Sequence, residues 1–153
     1  MCAVSKSAKN ARSGSADYRV RRSDLQRSVE DSRGFSVYDA IADRIDWTAD
    51  HPWRALLLNL NRAQRAVVSL AQVHEHAAFN GLEESLAFHG PDVVGMAAEG
   101  AVALEYPEIA AMLTAALRGD RAWPELEDAW FQTAEFEMAE FIESHAADFF
   151  IDE

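Results

Sequence analysis

Residues 53–73 read WRALLLNLNRAQRAVVSLAQV, and their rhythm decides the fold. Trp53, Leu56, Leu57, Leu60, Ala63, Val67, Leu70, Ala71 and Val73 recur at three- and four-residue intervals, the spacing of a helix with one buried stripe. Asp50-His51-Pro52 precedes them as a start signal, because proline suits the first helical turn. The pattern carries one long helix toward Ala78, and Asn59 and Asn61 leave a break open between its halves.

Outward from this stretch the chain punctuates itself into further helices. Upstream, Ser36-x-x-Asp39 has capping-box character, with Val37, Tyr38, Ile41 and Ile45 at helical spacing, which predicts a helix from about 36 to 46 closed off from earlier residues by Gly34. Downstream, Asn80-Gly81 marks a turn, with Gly81 expected at positive φ or in a close approach. A short helix then carries Leu82, Leu86 and Phe88 to Gly90-Pro91. Small residues dominate the next, from about 92 to 104. Pro107 opens another that ends near Gly119, a glycine C-cap. Trp123-Pro124 begins the last, expected to run unbroken to about His145. No alternating strand pattern and no internal repeat interrupts the series. The fold class is therefore all-α, a compact multi-helix domain of about six helices. Trp53, Leu57, Leu60, Trp130 and Phe141 are its expected core.

Charge divides the 153 residues in two. Residues 1–34 hold eight Lys/Arg against four acids, net +4, and read as a basic, mostly disordered tail. Residues 35–153 hold six Arg against 22 acids, net −16, and form the acidic helical domain. From Ala122 onward there are ten acids and no Lys or Arg. Such a domain repels nucleic acid and membrane surfaces and attracts basic partners, although acidity also serves plain solubility. One cysteine, Cys2, excludes an intrachain disulfide and points to a reducing, cytoplasmic setting. No apolar run reaches membrane-spanning length, and the basic N-terminus lacks the apolar stretch of a secretory signal.

Chemistry finds little purchase. His74 and His76 lie two apart, about 200° around a helix, so both imidazoles cannot bind one ion. Glu-x-x-His, His-Glu-x-x-His, phosphate loops and nucleophile elbows are all absent. The expectation is a protein without catalytic residues, metal or cofactor.

The last helix carries the candidate site. At 100° per residue, Trp123, Trp130, Ala134, Met138, Phe141 and His145 share the core side. Glu125, Asp128, Glu135, Glu140 and Glu143 fall on the other, with Phe136 among them in projection. Phe136 is then either an aromatic anchor for a partner or a side chain packed on another element of the chain. Glu127 points toward the apolar side, where it needs an arginine or a helix terminus.

The stretch from His74 to Phe149 resembles the bacterial DNA-mimic protein family, an acidic all-helical domain. Glu75 precedes Asn80-Gly81-Leu82, where the family has Asn-Gly-Gly-Phe. His89-Gly90-Pro91-Asp92 follows a short helix. An aromatic-rich start, Trp123 to Phe131, leads to Ile142-Glu143-Ser144-His145-Ala146-Ala147-Asp148-Phe149. Only one glycine of the family's Gly-Gly pair is present, Leu82 replaces the aromatic, and the match is a signature of fold more than of a site. The resemblance implies a dimer whose carboxylates imitate DNA phosphates and occupy the DNA-binding face of a transcription factor. On this reading Glu125, Asp128, Glu135, Phe136, Glu140 and Glu143 bind a basic DNA-binding protein, with no direct nucleic acid contact by the acidic domain. The alternative is a helical interaction or scaffold protein whose acidic surface serves solubility only.

Overall fold

The computed structural model describes residues 17–25 and 33–151. The disordered tail expected over 1–34 falls largely outside them. Within them the protein is all-helical. In chain order the helices are α1 (Arg33–Ala42), α2 (Pro52–Asn59), α3 (Arg62–Asn80), α4 (Leu82–Ala103), α5 (Pro107–Arg118), α6 (Trp123–Thr133), α7 (Ala139–Ser144) and α8 (Ala146–Phe149). No named strand occurs among the described residues. One isolated parallel bridge ties Val20 to Phe150, with Val20 N donating to Phe149 O at 2.8 Å and Ile151 N to Val20 O at 3.0 Å.

The central element is α3. From Ala66 to Val73 its side chains are buried on every side, Ser69 and Gln72 included, as befits a helix surrounded by others. The break left open at Asn59 and Asn61 is real: Leu60 is extended, and Asn61 and Gln64 form a reciprocal capping box that starts α3 afresh. Asn61 Nδ2 and Gln64 Nε2 also both donate to Asp148 O at 3.0 Å, tying α3 to the C-terminal end of the chain. The most extensive helix pair is α3 with α4. Gly100 makes it possible, since a Cβ there would sit 2.6 Å from Ala66 O.

Two glycine turns behave as their sequence predicts. Gly81 has φ 90° between α3 and α4, and Gly90, with φ 83° and ψ 166°, divides α4 ahead of Pro91. Pro107 opens α5, and Gly119 closes it in the left-handed conformation. Leu57, Leu60 and Trp130 are buried in the core, whereas Trp53 and Phe141 are only half-buried against it.

Two expectations need correction. The first helix starts at Arg33 and ends at Ala42, so Gly34 lies inside it and Ser36 is no N-cap. Ile45 falls in the following turn and still packs on the core from there. The last helix is not continuous. It stops at Thr133, leaves the helical path over 134–138, and resumes as two short pieces, α7 and α8. The cause is tertiary. Met138 is buried, and Phe136 lodges against His74, Tyr106 and Trp130, with ring centroids 4.9, 5.1 and 6.3 Å away. Glu137 N, deprived of a helical carbonyl, donates instead to Tyr106 Oη at 2.7 Å.

Candidate functional site

The break redistributes the acids expected on one helix face. Glu125 and Asp128 sit exposed on α6, Glu135 and Glu137 on the non-helical link, and Glu140 on α7. Glu125 is engaged, accepting from Arg121 Nε at 2.8 Å, and Asp128 accepts from Gln132 Nε2 at 3.3 Å. Phe136 and Glu143 do not face outward as projected. Phe136 is half-buried in the aromatic cluster just described, so packing within the chain, not display to a partner, accounts for it. Glu143 accepts both guanidinium nitrogens of Arg22, at 2.9 and 3.0 Å, and the same guanidinium lies 3.9 Å from the centre of the Phe150 ring. Glu143 thus anchors the N-terminal segment.

Glu127 meets the second of its two required fates. Its Oε2 accepts from Leu82 N at 2.7 Å, so a carboxylate on α6 caps the start of α4. His74 and His76 point to different neighbours: His74 to Trp130 and Phe136, His76 to Phe88 and His89. Among the described residues no group of three His, Cys, Asp or Glu is placed to hold a metal ion. Nor is any described helix long and apolar enough to cross a membrane.

The sequence gives no warning of a second acidic locus. A recess of about 460 Å³ opens between α1, the 43–50 turn, α2, α3 and α4. Its walls are aromatic: Tyr38 stacks on Trp53 at 6.3 Å, and Trp47 stands edge-on to Trp53 at 6.1 Å. Phe88 and His76 meet edge-to-face at 4.8 Å on another part of the lining. Asp39, Asp43 and Glu75 supply its charge. Beneath it runs a buried polar chain in which the Tyr38 hydroxyl donates to Gln72 Oε1 and Gln72 Nε2 approaches His89 Nε2 at 3.4 Å.

Burial and like charge dominate the electrostatics of this recess, with a Tyr38 hydrogen bond partly relieving Glu75. Burial pushes the Asp39 carboxyl above the usual range, and the charge of Asp43 adds to the shift. Burial and then Asp39 raise Glu75. Tyr38 is raised strongly by burial, with Glu75 contributing next. His89 is pushed down to about 4, first by burial and then by His76. His76 Nδ1 is buried without a hydrogen-bond partner. Asp39 and Asp43, four apart where α1 ends, are the only acids of the recess that lie close together along the chain. Trp47, Trp53, Glu75 and Phe88 come to them through folding alone.

Compared with models of protein families, with curated proteins and with solved structures, the chain matches none.

Proposed function

We propose that this is a binding protein, not an enzyme, whose acidic helical domain captures a basic, DNA-binding partner protein and competes with DNA for it. The observation that carries the reading is the shortage of internal counter-charge. Residues 35–153 have six arginines for 22 acids, and among the described residues two of the six form ion pairs with acids of that domain: Arg54 with Asp92 and Arg121 with Glu125. Arg65 is turned to the carbonyls of Leu57 and Leu60, and Arg44 to the Asp17 carbonyl and the Tyr18 ring. Exposed carboxylates therefore outnumber the cations that could neutralise them. A cationic surface gains from meeting them, in encounter rate and in exclusion of DNA. The resemblance to the DNA-mimic family supports the same mechanism and adds a dimer as its working form.

Magnitude limits how the mimicry is built. The 11 residues of α6 rise about 16 Å at roughly 1.5 Å each. Duplex DNA carries about ten charges over that length, at about one per 1.7 Å. Glu125 and Asp128 alone fall far short. The array has to be gathered from several elements, Glu135, Glu137 and Glu140 among them, or doubled by a second copy. The spread of acids over so many elements is also what favours the second reading, a helical scaffold whose charge keeps it soluble.

The deciding experiment immobilises the full chain, retains lysate proteins at low salt and elutes with duplex DNA. The expected result is release of a basic DNA-binding protein. Its affinity should fall when Asp128→Asn, Glu135→Gln, Glu137→Gln and Glu140→Gln are combined, and far more than for any one of them, because single exposed pairs contribute only about 0–1 kcal/mol. Simultaneous binding of DNA and this chain to the partner would rule the competitor out and leave the scaffold reading.

A further inference from the structure

We infer that the recess between α1, α2, α3 and α4 receives the guanidinium of an arginine side chain carried by the basic partner, an inference that rests on the partner reading above. Two independent features of the lining lead to it. The first is aromatic. Trp47 is 67% exposed and Phe88 62%, so broad ring surfaces stand open at the rim where an isolated fold gains nothing by displaying them. Exposed tryptophan of this kind is the commonest currency of interface hot spots. Tyr38 and Trp53, stacked with an interplanar angle of 10°, continue the aromatic surface inward.

The second is charge. Asp39, Asp43 and Glu75 line the same cavity, no described Lys or Arg does, and burial, with like charge adding to it, holds the Asp39 and Glu75 carboxyls above their usual range. An anionic ligand is excluded by this lining. A neutral apolar one would bring no counter-charge to the three carboxylates. A metal ion would find rings where it needs donors. An organic cation satisfies both halves at once, its charge facing the carboxylates and its body lying on the rings.

Among organic cations the shape of the lining favours guanidinium over ammonium. Guanidinium is planar, less strongly hydrated, stacks on aromatic faces and bonds carboxylates in a fork, whereas ammonium is a compact, tightly hydrated point charge. The cavity volume lies inside the range of about 300–1,000 Å³ typical of small-ligand sites, roomy enough for the head group together with its alkyl stem. In a DNA-binding protein the arginines that fit such a recess are those that otherwise contact phosphate or base edges. Seating one here would take it out of use for DNA, while the outer carboxylates deal with the rest of the basic face.

The test follows the indole N–H resonances of Trp47 and Trp53 in the full chain during titration with N-acetyl-arginine amide. Parallel titrations use the neutral isostere N-acetyl-citrulline amide, N-acetyl-lysine amide and spermidine. The expected result is a saturable shift of both indoles with the arginine probe, at least tenfold weaker binding of the citrulline probe, and weaker binding of the lysine probe. Asp39→Asn with Asp43→Asn, both at exposed positions, should weaken arginine tenfold or more, and Trp47→Ala should weaken it comparably. The four-fold neutral variant of the outer acids should leave it unchanged. No saturable shift, equal binding of citrulline, or indifference to the Asp39/Asp43 pair would overturn the inference. Spermidine binding more tightly than arginine would overturn it too, by making the recess a polyamine site. If the arginine probe behaves as expected but DNA displaces no captured protein, the competitor reading fails while the recess keeps its assignment. If DNA displaces a partner and the probe is silent, the reverse holds.

Discussion

At the scale of single residues, three glycines that look alike in the sequence have opposite physical roles. Gly81 sits at φ 90°, and a Cβ there would lie 2.9 Å from Glu127 Oε2, the atom that caps α4. Gly81→Ala should therefore cost about 1 kcal/mol or more, through backbone strain and a disturbed cap. Gly100→Ala forces a methyl onto the Ala66 backbone and should cost about 1–3 kcal/mol. Gly95 is helical with open space around its missing side chain, so Gly95→Ala should stabilise by up to about 1 kcal/mol. Urea unfolding of the three variants checks the ordering, and a stabilised Gly81→Ala would contradict the cap geometry. His89 gives a second prediction at this scale. Its folded pKa, about 4, lies below the ordinary 6.5, so the neutral ring contributes stability that is complete above 6.5 and is lost as pH falls toward 4. His74, lowered by burial, acts in the same direction. Asp39 and Glu75 have raised pKa values and act in the opposite one, regaining stability as they protonate. His89→Gln should flatten the decline of the urea midpoint between pH 6.5 and 4. An unchanged slope would mean that the ring is not held neutral.

At the scale of elements, the non-helical link between α6 and α7 is where sequence and structure part, and its reason is local. Glu135, Phe136, Glu137 and Met138 alternate polar and apolar, and the structure turns Phe136 and Met138 inward while Glu135 and Glu137 face solvent. That is a period of two, not the 3.6 of a helix. It covers only four residues, set between good helix formers with no Gly or Pro, so the helical period dominates any longer window. Helix boundaries written in proline, glycine or a capping residue were legible: Pro52, Asn61, Gly81, Gly90, Pro107, Gly119 and Trp123-Pro124 all stand where the elements change. Boundaries set by distant contacts were not, and the recess, assembled from residues 38 to 88, belongs with them. Of the candidate acids, Asp128, Glu135 and Glu140 keep the exposure their positions suggested, whereas Glu143 found an arginine from residue 22 that no helical projection can supply. The link yields its own prediction. Phe136→Ala should lower stability by roughly 2 kcal/mol, less than a fully buried phenylalanine would cost, by emptying the space beside His74, Tyr106 and Trp130. Affinity for a basic partner at temperatures where the variant stays folded should not change. Loss of affinity without loss of melting temperature would restore Phe136 as an anchor.

At the scale of the whole molecule, the same charge excess acts on folding and on binding with opposite signs, and salt separates the two. With 22 acids against six arginines in residues 35–153, folding brings like charges together, and this self-repulsion opposes the compact state. Raising ionic strength from about 0.01 to 0.1 M shortens the screening length from about 30 to 10 Å, enough to quench repulsion between charges on different helices. The melting temperature should therefore rise with added sodium chloride. Contacts between exposed pairs weaken under the same screening, but Arg54–Asp92 and Arg121–Glu125 are too few and too exposed to reverse the sign. Binding to a basic partner depends on attraction across the interface and should weaken over that same range. Neutralising Asp128, Glu135, Glu137 and Glu140 together should raise the low-salt melting temperature, flatten its salt dependence, and flatten the salt dependence of binding in parallel. Melting curves and partner titrations at matched ionic strengths read both slopes from one set of proteins. If the variant changes the melting slope but not the binding slope, these carboxylates serve the solubility of the fold and the partner docks elsewhere. If it changes both, the repulsion that the isolated protein tolerates is the attraction that its partner uses.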